Sequence, residues 1–221
     1  MSDVSRRDLD DGIAARPAVV PERLVADGAA MAMLEALAAT GPVPHLRQEL
    51  QQFGRLVGSW DLDVTYYAED GAVRRRVAGE WHFGWVLEGR AVADVWMVPP
   101  RADRESTEPP PGEYGLSLRF YDPRIGAWRS TWHGPVHGIV WPFVAREIGD
   151  EMVLERTDDA GCLVRWIFSD VLDESFRWRA VKSADEGRTW HLEQTMEATR
   201  RQPPTGGRER GERQPRMLDV A

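Results

Sequence analysis

The chain has 221 residues, 42% of them hydrophobic, with a formal net charge of −8 and a pI near 5.2; this is enough apolar material for a real core in one domain. An acidic balance argues against a nucleic-acid partner, which needs a basic face to meet phosphates, and no apolar run approaches the ~18 residues of a membrane span. The one cysteine, Cys162, excludes an intrachain disulfide, and residues 1–20 lack the apolar core of a secretion signal, so a cytoplasmic location is expected.

Residues 1–27 are rich in Asp, Arg, Ala and Pro without periodicity and read as a disordered or loosely attached arm. Residues 28–55 predict a helical cap. Its first part, residues 28–40 (GAAMAMLEALAAT), consists of helix formers and stops at Thr40-Gly41-Pro42. In the second part Leu46, Leu50, Phe53 and Val57 recur at intervals of four, three and four, an apolar stripe that needs a surface such as a barrel end to cover.

From residue 56 the period becomes two, and residues 56–201 predict a single antiparallel β-barrel. Trp60, Leu62, Val64 and Tyr66 alternate with Asp61, Asp63 and Thr65. Glu69-Asp70-Gly71 then turns the chain into a return strand with Val77, Gly79, Trp81 and Phe83 on one face. A strand over residues 89–98 groups Val92, Asp94, Trp96 and Val98. The loop over residues 99–112 (PPRADRESTEPPPG) is charged and proline-rich and reads as a mobile flap at one end of the barrel. Further strands are expected over residues 114–121, 127–133, 138–148, 152–157, 162–169, 175–182 and 189–200, separated by turn residues such as Asp122-Pro123-Arg124-Ile125-Gly126. About ten strands in consecutive hairpins favour an all-β, up-and-down barrel, whose closure removes exposed edges. Residues 202–221 carry Pro, Gly and Arg in place of core residues and read as a flexible tail.

Ten tryptophans are spread over these strands, and rings of that size need an interior to fill or to line. The rings on apolar faces are Trp81, Phe83, Trp96, Trp128, Trp132, Trp166, Phe176, Trp178 and Trp190, and the polar groups on the same faces are Asp94, Ser130 and Gln194. A small-molecule cavity is mostly apolar with a few placed polar atoms. The expected ligand-binding set is therefore Trp81, Phe83, Trp96, Trp128, Ser130, Trp132, Trp166, Trp178 and Gln194. Plain core packing is the competing reading for each ring. Asp94 beside Trp96 is either a carboxylic acid of raised pKa that serves as acid or base, or one half of a salt bridge with an arginine. His133 and His137 lie four apart, but Gly134-Pro135 between them forbids the helix that a zinc pair at this spacing requires. No metal is expected there. The two imidazoles read as an acid/base pair at the barrel mouth or as an exposed polar turn. No nucleophile elbow, P-loop or dinucleotide fingerprint is present in the sequence.

Gly58-Ser59-Trp60, opening the first strand after a short helix, resembles the Gly-x-Trp signature of the calycin superfamily, which includes lipocalins and fatty-acid-binding proteins. Phe120-Tyr121-Asp122 with Gly126-x-Trp128, the stretch SADEGRTW over residues 183–190, and Arg200-Arg201 make residues 45–201 similar to a group of bacterial lipocalin-like proteins. The resemblance implies a barrel with a central cavity. It also implies that Trp60 packs across the barrel bottom as a structural latch, with Arg200 or Arg201 over its ring. The glycine-rich Trp motif of haem-binding relatives is not reproduced at residues 58–63, and no cofactor is expected.

Two functions follow from this reading. One is a protein that binds a small apolar or aromatic molecule in a Trp-lined cavity. The other is a cofactor-independent enzyme (cyclase, isomerase or hydratase/lyase type) that uses the same cavity with Asp94 or His133/His137 as acid/base. The expected partner is that small molecule, with no nucleic acid and no membrane; a homodimer stays open.

Overall fold

The computed structural model describes residues 28–104 and 112–202. The expected arm over residues 1–27, the centre of the proline-rich loop and the tail after residue 202 lie outside the described residues. The chain enters through α1 (Gly28–Leu37), a 3-10 turn (Pro44–Leu46) and α2 (Arg47–Gly54). Ten strands follow: β1 (Gly58–Tyr67), β2 (Val73–Val86), β3 (Ala91–Val98), β4 (Glu113–Asp122), β5 (Ala127–Gly134), β6 (Ile139–Ile148), β7 (Glu151–Thr157), β8 (Leu163–Ser169), β9 (Ser175–Ser183) and β10 (His191–Arg200). Each pairs antiparallel with its sequence neighbours, and β1 pairs with β10 to close the barrel. This is the expected up-and-down all-β architecture. Among the described residues no helix is long and apolar enough to cross a membrane.

The helices divide their roles differently from the expectation. The stripe on α2 buries Leu50 and Phe53 completely. Phe53 packs edge-on against Trp128 (4.8 Å between centroids) and Phe168 (5.8 Å), so α2 plugs one end of the barrel. By contrast α1 leaves Met31, Met33 and Leu34 exposed. It is attached through its C-terminal extension, where Ala38 bridges to Val86 and the Ala39 amide donates to the Trp85 carbonyl (3.0 Å). Its composition makes a helix but supplies no one-sided stripe, and most of its described residues are exposed.

The plugged end is closed by Trp60 at the start of β1. Its indole N–H donates to the Leu56 carbonyl (2.8 Å), and its ring meets Phe176 edge-on (4.7 Å). Arg200 at the end of β10 lies over the same ring with Cζ 4.0 Å from the centroid. The Arg200 guanidinium also donates to the carbonyls of Val57 (2.9 Å), Arg55 (3.2 Å) and Asp173. A side chain at Gly58 (φ +140°) would collide with Arg200 Nη1, which gives the glycine of Gly58-Ser59-Trp60 a local reason. Arg201 turns outward instead and donates to Asp61 and Glu80.

Above this plug sits a buried ion pair. Register places Asp94 of β3 opposite Ser117 of β4, and Arg119, two residues on, faces inward beside it. Arg119 Nη1 donates to Asp94 Oδ2, and Trp81 Nε1 donates to Asp94 Oδ1 (2.5 Å). Both charged side chains are essentially without solvent contact. The guanidinium is sandwiched among aromatic faces, with Cζ 5.1 Å from the Phe53 centroid and 5.8 Å from that of Phe83. Burial pushes the Arg119 pKa down to about 9, still high enough to keep it charged at neutral pH. Of the two readings open for Asp94, the geometry is that of the salt bridge.

The arrangement of β4 is inverted relative to its hydrophobicity. Gly115, Ser117, Arg119 and Tyr121 face the interior, while Tyr114, Leu116 and Phe120 are exposed on the outside. Residues 99–112 connect β3 to β4; there Arg101–Arg104 forms a short helix (α3). It is held by the Arg101 amide on Glu80 Oε1 (3.0 Å) and by Arg104 Nη1 on the Glu113 carbonyl (3.2 Å). The expected flap is therefore anchored at its first turn, and residues 105–111 lie outside the described residues.

Removing one partner of a buried ion pair strands the other charge, whereas removing both leaves an apolar filling. Asp94→Leu or Arg119→Met alone is expected to lower the unfolding free energy by about 3–5 kcal/mol, and the double variant by much less than the sum. Urea unfolding of the four proteins measures this, and additive losses would remove the pair from the account. Arg200→Met, which keeps the apolar stem but deletes the ring contact and the carbonyl bonds, is expected to cost about 2 kcal/mol in the same assay. An unchanged midpoint would show that the latch contributes nothing.

Candidate functional site

The half of the barrel away from α2 is not filled. Inward positions there come from the end of β1 (Tyr66), the end of β3 (Trp96), the start of β4 (Glu113), the end of β5 (Trp132), the start of β6 (Trp141), β8 (Trp166), the end of β9 (Ala180, Lys182) and the start of β10 (Gln194). Together they surround an open cup of about 720 Å³, within the usual range for small-molecule pockets. Trp96, Trp132, Trp141 and Trp166 all line it. Their rings tile against one another: Trp96–Trp132 at 5.3 Å, Trp132–Trp166 at 6.1 Å and Trp141–Trp166 at 6.0 Å between centroids. Ala180 keeps the space between them open, since a small side chain stands where the neighbouring inward positions carry rings. Gly115 lets the Trp132 ring lie close against β4: a Cβ there would sit 2.5 Å from its six-membered ring.

One buried donor in this wall has no protein partner, Trp96 Nε1, while the Gln194 amide is turned to the Tyr66 hydroxyl. Buried N–H groups are nearly always satisfied, so a donor in the wall of a cup is one that a bound acceptor can engage. The rim is charged and carries Glu69, Arg74, Glu113, Lys182, His191 and Glu193. Burial, followed by the nearby Glu113 carboxylate, pushes the Tyr66 hydroxyl up to about 12, so it stays a neutral phenol at any ordinary pH. Burial likewise raises the Glu113 carboxyl above the usual carboxylate range, against a smaller opposing pull from His137. His137 Nε2 stands 3.5 Å from Glu113 Oε1, an ion pair when the imidazole is protonated. Lys182 is already engaged with Asp158 Oδ2 at 2.7 Å, which raises its pKa.

The residues singled out from sequence separate into three groups. Trp96, Trp132, Trp166 and Gln194 line the cup. Trp81, Phe83, Trp128, Ser130 and Trp178 are buried inside the barrel but do not line the cup. Trp81 is committed to Asp94, and Trp128 donates to Gln52 Oε1 on α2 (2.6 Å). Trp178 stands directly behind the wall, 5.9 Å from Trp96 and 5.6 Å from Trp166. Phe176 belongs to the plug with Trp60. Trp190 is outside the barrel, folded onto its own turn with Nε1 on the Gly187 carbonyl (3.0 Å) and Arg165 over its ring (4.4 Å).

The three acid/base candidates are likewise dispersed. Asp94 lies beneath the cup in its ion pair. His133 alternates with the inward residues Trp132 and Gly134, so it is exposed on the outer face and cannot act within the cavity. His137 reaches the rim through Glu113. Sequence reasoning missed Tyr66, Trp141 and Glu113. Tyr66 shares the inward face of Trp60, Leu62 and Val64, and that alternation is the signal that finds it. Trp141 sits in the nearly continuous apolar run of β6, where period two cannot choose a face. Glu113 adjoins the proline-rich loop and reads as part of it.

No family model matches the chain, and no curated protein matches it. Among solved structures it is similar to an S-type phycobiliprotein lyase, CPES, from Guillardia theta, at 12% sequence identity and a TM-score of 0.46, over 69% of this chain and 92% of that one.

Proposed function

We propose that the cup binds a small apolar, ring-containing molecule, and that this is the protein's function. The observation that carries the reading is the half-empty interior: about 720 Å³ walled by four tryptophans, with the Trp96 indole N–H unpartnered. Filling that space with side chains would have been the more stable solution, since closely packed interiors gain dispersion and exclude voids. A ring system that stacks on the indoles recovers those contacts, and an acceptor atom on it satisfies a stranded N–H.

An acid/base enzyme using the same cup is the second reading, and the rim pair Glu113–His137 is what favours it. Chemistry there would start from a carboxyl that burial shifts upward, the direction a general acid requires. Asp94 does not fit this role, because both its oxygens are held by Arg119 and Trp81. Native mass spectrometry of protein from its own host separates the two readings, since a carried molecule recovered unchanged after incubation speaks for binding.

The neutral dye N-phenyl-1-naphthylamine tests the cup directly. It is expected to quench tryptophan fluorescence saturably with one site per chain. Ala180→Phe, which fills the space at the wall, should weaken binding at least about tenfold, roughly 1.4 kcal/mol, with far-UV circular dichroism unchanged. Non-saturable quenching, or equal affinity in the folded variant, would refute the cavity as the binding site.

A further inference from the structure

Resting on the ligand-binding reading, we propose that the cup selects a flat organic cation, an aromatic ring system bearing a positively charged nitrogen, with its rings on the tryptophan wall and its charge against Glu113.

The argument begins from what each rim charge already faces. Glu69 and Arg74 are exposed, where water screens them. Lys182 is bonded to Asp158, with Glu193 also in its field. Glu113 differs from all of these. It lies on the inward face of β4, two residues before Gly115, and its side chain is only 23% exposed. Among the described residues the sole basic group against its carboxylate is His137, itself exposed and charged only when protonated. Arg104 on α3 is spent on the Glu113 backbone carbonyl and on the Tyr114 ring, 4.8 Å from its Cζ. The remaining neighbour, Tyr66, is a neutral phenol, and Arg75, paired opposite it on β2, lies over the Tyr66 ring with Cζ 5.9 Å from the centroid and makes no ion pair with Glu113. Nor can the adjoining segment supply a fixed cation, because residues 105–111 read Glu-Ser-Thr-Glu-Pro-Pro-Pro.

A half-buried carboxylate without a lysine or arginine is costly, and the deeper pair Asp94–Arg119 shows how this same barrel meets that cost when the charge is structural. At the rim no lysine or arginine pairs with Glu113 among the described residues, and the open space in front of it is lined by indole faces. Tryptophan is the best of the aromatic surfaces for a cation, and rings around a carboxylate form the recurring cradle for organic ammonium groups. A flat cation therefore meets both features of the wall at once. An anionic ligand would meet Glu113 unfavourably, and its possible partners at the rim are the exposed Arg74, Arg75 over the Tyr66 ring and the engaged Lys182.

Three probes of one shape test the idea: 10-methylacridinium (cation), 9-methylanthracene (neutral) and 9-anthracenecarboxylate (anion), titrated by tryptophan quenching at about 20 mM and about 500 mM salt. The cation is expected to bind about tenfold or more tighter than the neutral probe at low salt, with a smaller margin at high salt. Glu113→Gln should bring the two within about twofold while leaving the neutral probe's affinity unchanged. His137→Gln should keep the preference, because the imidazole is not the anchor. In the native protein the preference should grow as pH rises through the Glu113 pKa, above the usual carboxylate range, as the carboxyl becomes charged; Glu113→Gln should abolish that slope. Equal binding of all three probes, preference for the anion, or a cation preference that survives Glu113→Gln would overturn this inference while leaving the cup as a binding site. If none of the probes binds, the ligand-binding reading itself falls, and the inference with it.

Discussion

Seven residue pairs, from Trp60 opposite Arg200 to Tyr66 opposite Gln194, join β1 to β10 and turn a meander into a tube. Once that seam forms, no strand edge is left to recruit another chain, and the interior acquires a fixed width that side chains must fill or leave empty. The two ends of the seam are also the two ends of the molecule's chemistry. At one, Trp60 and Arg200 lock the plug under the barrel. At the other, Tyr66 and Gln194 stand in the wall of the cup. Pairing of the first strand with the last therefore sets the stable end and the open end together.

The halves solve the problem of buried polarity in opposite ways. Beneath the cup, Asp94 has Arg119 and Trp81, and the guanidinium is enclosed by Phe53, Phe83 and Phe168. Such a pair adds little net stability over apolar packing, because two desolvation penalties offset the attraction, but it makes any mispaired register of β3 and β4 expensive. In the upper half the Trp96 indole N–H has no acceptor, as Trp178 Nε1 and Arg119 Nε have none below, and among the described residues Glu113 has only the His137 imidazole as a basic partner. The same aromatic surplus serves as packing below and as exposed wall above.

Much of this was legible in the chain because period two is a direct record of which residues face inward. The ten strands, their order and the inward position of Asp94 all follow from it, and from β3 onward the strand ends lie within two residues of those expected. The reading failed where hydrophobicity and facing part company. On β4 the apolar residues Leu116 and Phe120 point to solvent and Arg119 points to the core, so the partner of Asp94 was hidden behind an alternation of the wrong sign. Only the register with β3, a long-range fact, identifies it. The split between filled and empty interior was equally invisible. Trp96 and Trp178 look alike in sequence, but only Trp96 lines the cup, beside the small Ala180 brought from β9.

Spatial separation of plug and cup has an evolutionary consequence. Residues that hold the tube shut, such as Leu50, Phe53, Trp60 and Arg119, are not the residues that face the open space. A substitution at Trp141, Ala180 or Gln194 thus alters what the wall offers without touching the Trp60–Arg200 latch or the Asp94–Arg119 pair. Stability and specificity can drift independently in such a molecule, since distant sites contribute nearly additively. Descendants of one barrel could carry unrelated guests on an unaltered base, and the wall would be the natural place to re-engineer its selectivity.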